Sequence, residues 1–207
     1  AEINPAGVRI FNFDKAEIIG KKYNAVFPAN IVVKLQPDIE NTSVAFSRQQ
    51  GPVEHQYEIS LPALKRKGGH AGYIMILHDN TQFVILANTD ELTGIYNYRH
   101  FSKVMDHEIA RVSRFGTFFS LIILDLDHFK EYNDTHGHPA GDDMLREVAS
   151  VISSSVRVID SVFRLGGDEF AIILPATGIK ESYLVSERIR TMIERKNEGK
   201  QVHVTLS

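Results

Sequence analysis

The chain has 207 residues, 43% of them hydrophobic, a formal net charge of −3 and no cysteine. It can bury real cores and is long enough for two modest domains, it carries no charge excess that would draw nucleic acid or an anionic lipid surface, and it can form neither disulfides nor thiolate metal sites. No apolar run approaches the length of a membrane span and no signal peptide is visible, so a cytoplasmic segment is expected, with any membrane tether of the parent protein outside it.

Residues 1–78 mix short β-like runs with turns. Gly51-Pro52-Val53-Glu54 leads into His55-Gln56-Tyr57-Glu58-Ile59-Ser60-Leu61. The basic turn Lys65-Arg66-Lys67-Gly68-Gly69 leads into Ala71-Gly72-Tyr73-Ile74-Met75-Ile76-Leu77, and its paired glycines predict a hairpin. With Asn4-Pro5-Ala6, the stretch Ile18-Ile19-Gly20-Lys21-Lys22 before Val26-Phe27-Pro28, and the closing Asp79-Asn80-Thr81, this half resembles a PAS sensor domain. The Asp-Asn-Thr ending departs from the commoner Asp-Ile-Thr. PAS folds hold a ligand against their sheet or pair two protomers, and the sequence does not name the ligand. Next comes Gln82-Phe83-Val84-Ile85-Leu86-Ala87-Asn88, so apolar that it must be packed on its own domain or paired with a twin.

The second half carries the chemistry. The run Phe118-Phe119-Ser120-Leu121-Ile122-Ile123-Leu124 reads as a strand and ends abruptly in Asp125-Leu126-Asp127. Met144-Leu145-Val148-Ala149-Ile152 recurs with helical spacing, so Asp142, just after Gly141, reads as a helix N-cap or as a binding residue. Ser161-Val162-Phe163 and Ala171-Ile172-Ile173-Leu174 flank Gly166-Gly167-Asp168-Glu169, a tight hairpin whose turn needs the positive φ that glycine adopts freely. A helix is expected from Tyr183 to Ile193. If the two acidic strand ends are neighbours in one sheet, Asp125 and Asp168 face each other. Hard oxygen ligands gathered there suit Mg²⁺ or Mn²⁺, which can activate an attacking oxygen and steady a leaving phosphate.

Taken together, the blocks Asp125-x-Asp127-x-Phe129-Lys130-x-x-Asn133-Asp134, Gly137-His138-x-x-Gly141-Asp142 and Gly166-Gly167-Asp168-Glu169-Phe170, in this order, resemble the GGDEF domain of diguanylate cyclases, which join two GTP into cyclic di-GMP. Thr89-Asp90-Glu91-Leu92-Thr93-Gly94-Ile95-Tyr96-Asn97 resembles the segment that opens that domain. The resemblance implies a metal site of Asp125, Asp168 and the Leu126 carbonyl, with Asp168 and Glu169 catalytic. It places Phe129, Lys130, Asn133, His138 and Asp142 along the substrate pocket. Asn133 and Asp142 match guanine readers, since an amide pairs with acceptor and donor edges and a carboxylate accepts from the N1 and N2 hydrogens. Lys130 and the backbone N–H groups of residues 128–130, just before a helix at Glu131, would meet the β- and γ-phosphates. Asp142 argues for GTP over ATP.

Arg157-Val158-Ile159-Asp160 resembles the family's inhibitory site for cyclic di-GMP, and Arg188 is a candidate third member. Arginine grips phosphate in bidentate fashion and stacks on guanine, though Arg-x-x-Asp by itself usually means a solvated salt bridge.

The expectation is an α+β protein: a PAS-like antiparallel sheet domain over residues 1–81, a short helical linker at 82–88 that joins its twin in a coiled coil, and a GGDEF domain over 89–207 with a mostly antiparallel central sheet flanked by helices. By the resemblance, the first PAS strand and the C-terminal end of the GGDEF domain, with a phosphate-holding Lys and Arg, lie outside these residues. The expected catalyst is a homodimer controlled by its sensor and its product. The competing reading is a silent receptor for GTP or cyclic di-GMP, against which stand the intact acids Asp125, Asp168 and Glu169.

Overall fold

The computed structural model describes residues 5–11, 15–18, 21–22, 25, 43–50, 53–60, 62–66 and 69–197. The chain divides into two compact units, Ala1–Val84 and Ile85–Ser207.

In the first unit two short helices, α1 (Pro5–Phe11) and α2 (Lys15–Ile18), precede the strands β1 (Ser43–Gln50), β2 (Val53–Ser60), β3 (Ala63–Arg66), β4 (Gly69–Tyr73) and β5 (Ile76–Asp79). β1, β2 and β5 form an antiparallel sheet in the order β1-β2-β5, and β3 and β4 pair as an antiparallel hairpin, in which Lys65 and Arg66 belong to β3 and Gly69 to β4 rather than to the turn. The turns at Gly51-Pro52 and Lys67-Gly68, Asn4, Ile19-Gly20 and Val26-Phe27-Pro28 lie outside the described residues. The run expected from Ala71 to Leu77 is broken at Ile74-Met75, where the Ile74 N–H turns to the Pro62 carbonyl. Val44 and Ile59 pack with Phe11, and the rings of Phe11 and Phe46 stack 5.9 Å apart.

Asp79-Asn80-Thr81 ties the end of this unit to β2. The backbone N–H of Gln56 donates to the buried Thr81 hydroxyl at 2.9 Å, Asn80 N–H donates to the Gln56 carbonyl at 2.8 Å, and the Asn80 amide donates to Glu58 at 3.2 Å. The asparagine in the unusual central position of that tripeptide therefore has its own cross-strand partner. Helix α3 (Thr81–Asn88) follows, with the Asp79 carboxylate accepting from the Thr81 N–H at 3.0 Å, and Phe83, Val84, Ile85 and Leu86 are exposed along it.

The second unit is built on the sheet β6-β8-β9-β7, comprising β6 (Tyr96–Asn97), β7 (Phe119–Asp125), β8 (Ser161–Gly166) and β9 (Glu169–Pro175). β6 runs parallel to β8, and the other pairs are antiparallel. Its helices are α4 (Tyr98–Phe115), α5 (Phe129–His136), α6 (His138–Ser154) and α7 (Ile179–Asn197). Side chains alternate across a strand, so β9, lying between β8 and β7, sends Phe170, Ile172 and Leu174 to one face and Ala171 and Ile173 to the other. On the first face they meet Met144, Leu145, Val148 and Ile152 of α6 with Ile189 and Ile193 of α7; on the second, with Phe163, they meet Phe101, Val104 and Met105 of α4. A strand buried on both faces reads as an unbroken apolar run, which explains Phe170-Ala171-Ile172-Ile173-Leu174. Burying a ring such as Phe163 contributes about 2–3 kcal/mol. Among the described residues no helix is long and apolar enough to cross a membrane.

Candidate active site

Three acids meet at one end of this sheet because of the strand register. In the β7–β9 ladder Asp125 stands opposite Glu169, and the β8–β9 turn carries Asp168 beside it. Gly166 and Gly167 take φ of +157° and +53°, which lets two consecutive residues reverse the chain while their carboxylate neighbours stay at the tip. Burial pushes the Asp125 carboxyl above the usual 3.8, and repulsion from Asp168, Glu169 and Asp127 raises it further. Such crowding suits a divalent cation held by hard oxygens. Among the described residues no three His, Asp or Glu side chains gather as a metal site on their own. Two carboxylates and a main-chain carbonyl make a donor set of the kind such an ion takes; the Leu126 carbonyl accepts from the Phe129 N–H at 3.3 Å, and the Leu126 side chain is sunk in the core.

The chain leaves β7 sharply. His128 adopts φ +60°, a left-handed conformation in which histidine is tolerated, and α5 starts at Phe129, two residues earlier than Glu131. His128 makes no side-chain cap at the start of α5, where the Phe129 N–H bonds to the Leu126 carbonyl and Lys130 is exposed. Asn133 lies partly buried in the last turn of α5, and Gly137, with φ +85°, closes α5 and opens α6. The N-cap reading of Asp142 is corrected. The helix already begins at His138, because Pro139 fits a first turn that needs no donor, and Asp142 lies one turn inside it. The Asp142 carboxylate is therefore not spent on capping. Phe129 is partly buried against the α6 side core, whereas His138 is exposed at the start of α6.

Arg157, Asp160 and Arg188 line one cavity of about 540 Å³ between the α6–β8 turn and α7. Asp160 accepts from the Arg157 N–H at 2.8 Å and so shapes that turn, while Arg188 donates to the Ser155 carbonyl. The cavity is otherwise largely apolar, with Leu174, Leu184, Val185 and Met192 in its wall.

One pair was not legible in the sequence. Arg164 donates from Nε and Nη2 to the Gly167 carbonyl at 3.0 and 2.7 Å, and from Nη1 to both oxygens of Asp90 at 3.1 and 3.3 Å. It thus clamps the Gly-Gly turn to the segment that opens the unit. Burial pushes the Asp90 carboxyl up, but hydrogen bonds from the Thr93 hydroxyl and N–H and from Arg164, with the charge of Arg164, hold it below the usual 3.8.

With this geometry in view, the comparison with known proteins is decisive: the family model described as diguanylate cyclase, GGDEF domain, matches residues 87–207, more than half of the chain. The chain belongs to the GGDEF family. The response regulator PleD of Caulobacter vibrioides is 43% identical over 105 residues, covering 51% of this chain and 23% of that protein. The diguanylate cyclase DosC of Escherichia coli is 41% identical over 122 residues, covering 57% of this chain and 26% of that protein. The chain thus spans about a quarter of the length of these two relatives. Among solved structures, the coiled coil and GGDEF domain of DgcB from Caulobacter crescentus, in complex with c-di-GMP, superimposes with a TM-score of 0.57 at 33% identity, covering 61% of this chain and 69% of that one. The mixed α+β architecture of the second unit is that of a GGDEF domain homologous to diguanylate cyclases.

Proposed function

We propose that the protein is a diguanylate cyclase, condensing two GTP into cyclic di-GMP with release of two pyrophosphates. The observation that carries this reading is the convergence of Asp125, Asp168 and Glu169 at one sheet end, crowded enough to raise the Asp125 carboxyl. A divalent ion such as Mg²⁺ held by Asp125, Asp168 and the Leu126 carbonyl would lower the pKa of the attacking ribose 3′-hydroxyl and steady charge on the phosphate. In each half-reaction that oxygen forms a bond to the α-phosphorus of the other GTP, the bond to the β-phosphate oxygen breaks, and the hydroxyl proton is lost. Glu169, on the partner strand opposite Asp125, is assigned a role in turnover. Lys130 and the N-terminus of α5, where His128 makes no side-chain cap, would take the β- and γ-phosphates. Asn133 and Asp142 would read the guanine, with Phe129 and His138 along the pocket.

One domain offers one such site, so two copies must face each other and the catalyst is a homodimer. The exposed apolar residues of α3 support pairing through a linker at 82–88, and the DgcB structure includes a coiled coil with its GGDEF domain. The antiparallel sheet of residues 43–79 supports a PAS-like sensor over 1–81, which would set the distance between the two GGDEF domains at 89–207. Arg157, Asp160 and Arg188, around one cavity, would bind the product and inhibit; DgcB was solved with c-di-GMP. Incubation of the intact protein with GTP and Mg²⁺, with products resolved by mass, tests the reading: cyclic di-GMP and pyrophosphate in a 1:2 ratio support it, and GTP binding without any product leaves a receptor instead.

A further inference from the structure

Gly141 is a glycine for lack of space. It carries no positive φ, unlike Gly116, Gly137, Gly166 and Gly167, and it is buried inside α6. Glycine in a helix interior is unfavourable relative to alanine, so the backbone gives no reason for it. The neighbouring side chain does. A Cβ on Gly141 would lie 1.8 Å from Oδ1 of Asn133, 2.8 Å from its Cγ and 3.3 Å from its Nδ2. The Asn133 amide therefore fills the space that any other residue at 141 would occupy.

The connection between the helices fixes this arrangement. Gly137 donates its N–H to the Asn133 carbonyl at 2.8 Å and accepts from the Gly141 N–H at 3.3 Å. Asn133 and Gly141 are thus each one turn from the same hinge, on opposite sides of it. The amide lies against α6 at Gly141, whose neighbour in sequence is Asp142.

We propose that Gly141 is a specificity-determining positioning residue: the absence of its side chain is what seats the Asn133 amide beside Asp142 so that the two recognise one guanine. This rests on the reading of Asn133 and Asp142 as guanine contacts. The obstruction a methyl group would create is at the far end of a rotatable side chain, so Gly141→Ala moves the amide and leaves the helix in place. Stability and base recognition should therefore separate, which a purely structural glycine would not allow.

The experiment measures, on the full chain with Mg²⁺, the melting temperature and the equilibrium affinities for the α,β-methylene analogues of GTP and ATP, which do not turn over. Gly141→Ala should melt no lower than the parent, bind the GTP analogue about tenfold more weakly, as expected for losing an amide's hydrogen bonds to the base, and bind the ATP analogue unchanged. In the Asn133→Ala background the same substitution should cost nothing further. If Asn133→Ala weakens the GTP analogue but Gly141→Ala does not, the role of Gly141 is overturned while the guanine reading stands. If Gly141→Ala lowers the melting temperature and weakens both analogues alike, Gly141 is structural. If Asn133→Ala leaves GTP affinity intact, the guanine reading itself fails.

Discussion

Replacing Arg164 by alanine removes four hydrogen-bond contacts at once, two to the Gly167 carbonyl and two to Asp90. An exposed ion pair contributes at most about 1 kcal/mol, a hydrogen bond to a charged group about 1.5–3 kcal/mol. The side chains of Arg164 and Asp90 are only 14% and 24% exposed, which puts this pair between the two limits, at about 2 kcal/mol. For a unit of this size that corresponds to a fall in Tm of roughly 8 °C. Arg164→Lys should recover only part of it, because an ammonium cannot span a carbonyl and a carboxylate as the planar fork does. The pair also has a pH signature. The folded-state Asp90 carboxyl lies below its usual 3.8, so its contribution is present above that pH and is lost as pH falls through the lowered value. Thermal denaturation of the parent, Arg164→Ala, Asp90→Asn and the double variant, followed by circular dichroism at pH 7 and pH 3, checks this. The single effects should be non-additive at pH 7 and should shrink at pH 3. Additive losses below about 0.5 kcal/mol would show that the clamp contributes nothing.

Asp125→Asn should raise the Tm of the metal-free protein by removing repulsion among Asp125, Asp168 and Glu169, while abolishing the Tm increase that Mg²⁺ gives the parent; a lower metal-free Tm would contradict the crowding. Asp142→Ala should weaken GTP affinity by about tenfold or more and narrow the gap to ATP, measured by competition binding, since a carboxylate accepts from guanine N1 and N2 where adenine offers no matching pair. Arg157→Ala should relieve inhibition by added cyclic di-GMP without lowering the initial rate; unchanged sensitivity would make Arg157 and Asp160 an ordinary turn.

The glycine-bracketed hairpin of β8 and β9, the strand ending at Asp125 and the amphipathic helix over Met144–Ile152 were legible because each is a local signal: a turn requirement, an apolar run with an abrupt acidic end, a 3.6-residue period. Helix starts were less so. Glu131 and Asp142 looked like first-turn residues, but His128 turns the chain by a left-handed φ that its identity does not announce, and Pro139 lets α6 begin before the apolar period does. The break at Ile74-Met75 depends on a hydrogen bond to Pro62, which no periodicity encodes. Arg164 and Asp90 are 74 positions apart, so nothing short of the folded sheet pairs them. The glycine at 141 stood in the sequence only as a member of its motif, and the placement of the Asn133 amide explains it.

The most direct test of the central claim is Mg²⁺-dependent turnover of GTP by the intact protein and by Asp168→Asn, compared at equal folded concentration. A substitution at a turn tip leaves the fold intact and relieves the same repulsion as Asp125→Asn, so the metal-free variant should melt no lower than the parent while its cyclic di-GMP production falls below detection. Parent-like synthesis of cyclic di-GMP by Asp168→Asn would contradict the account.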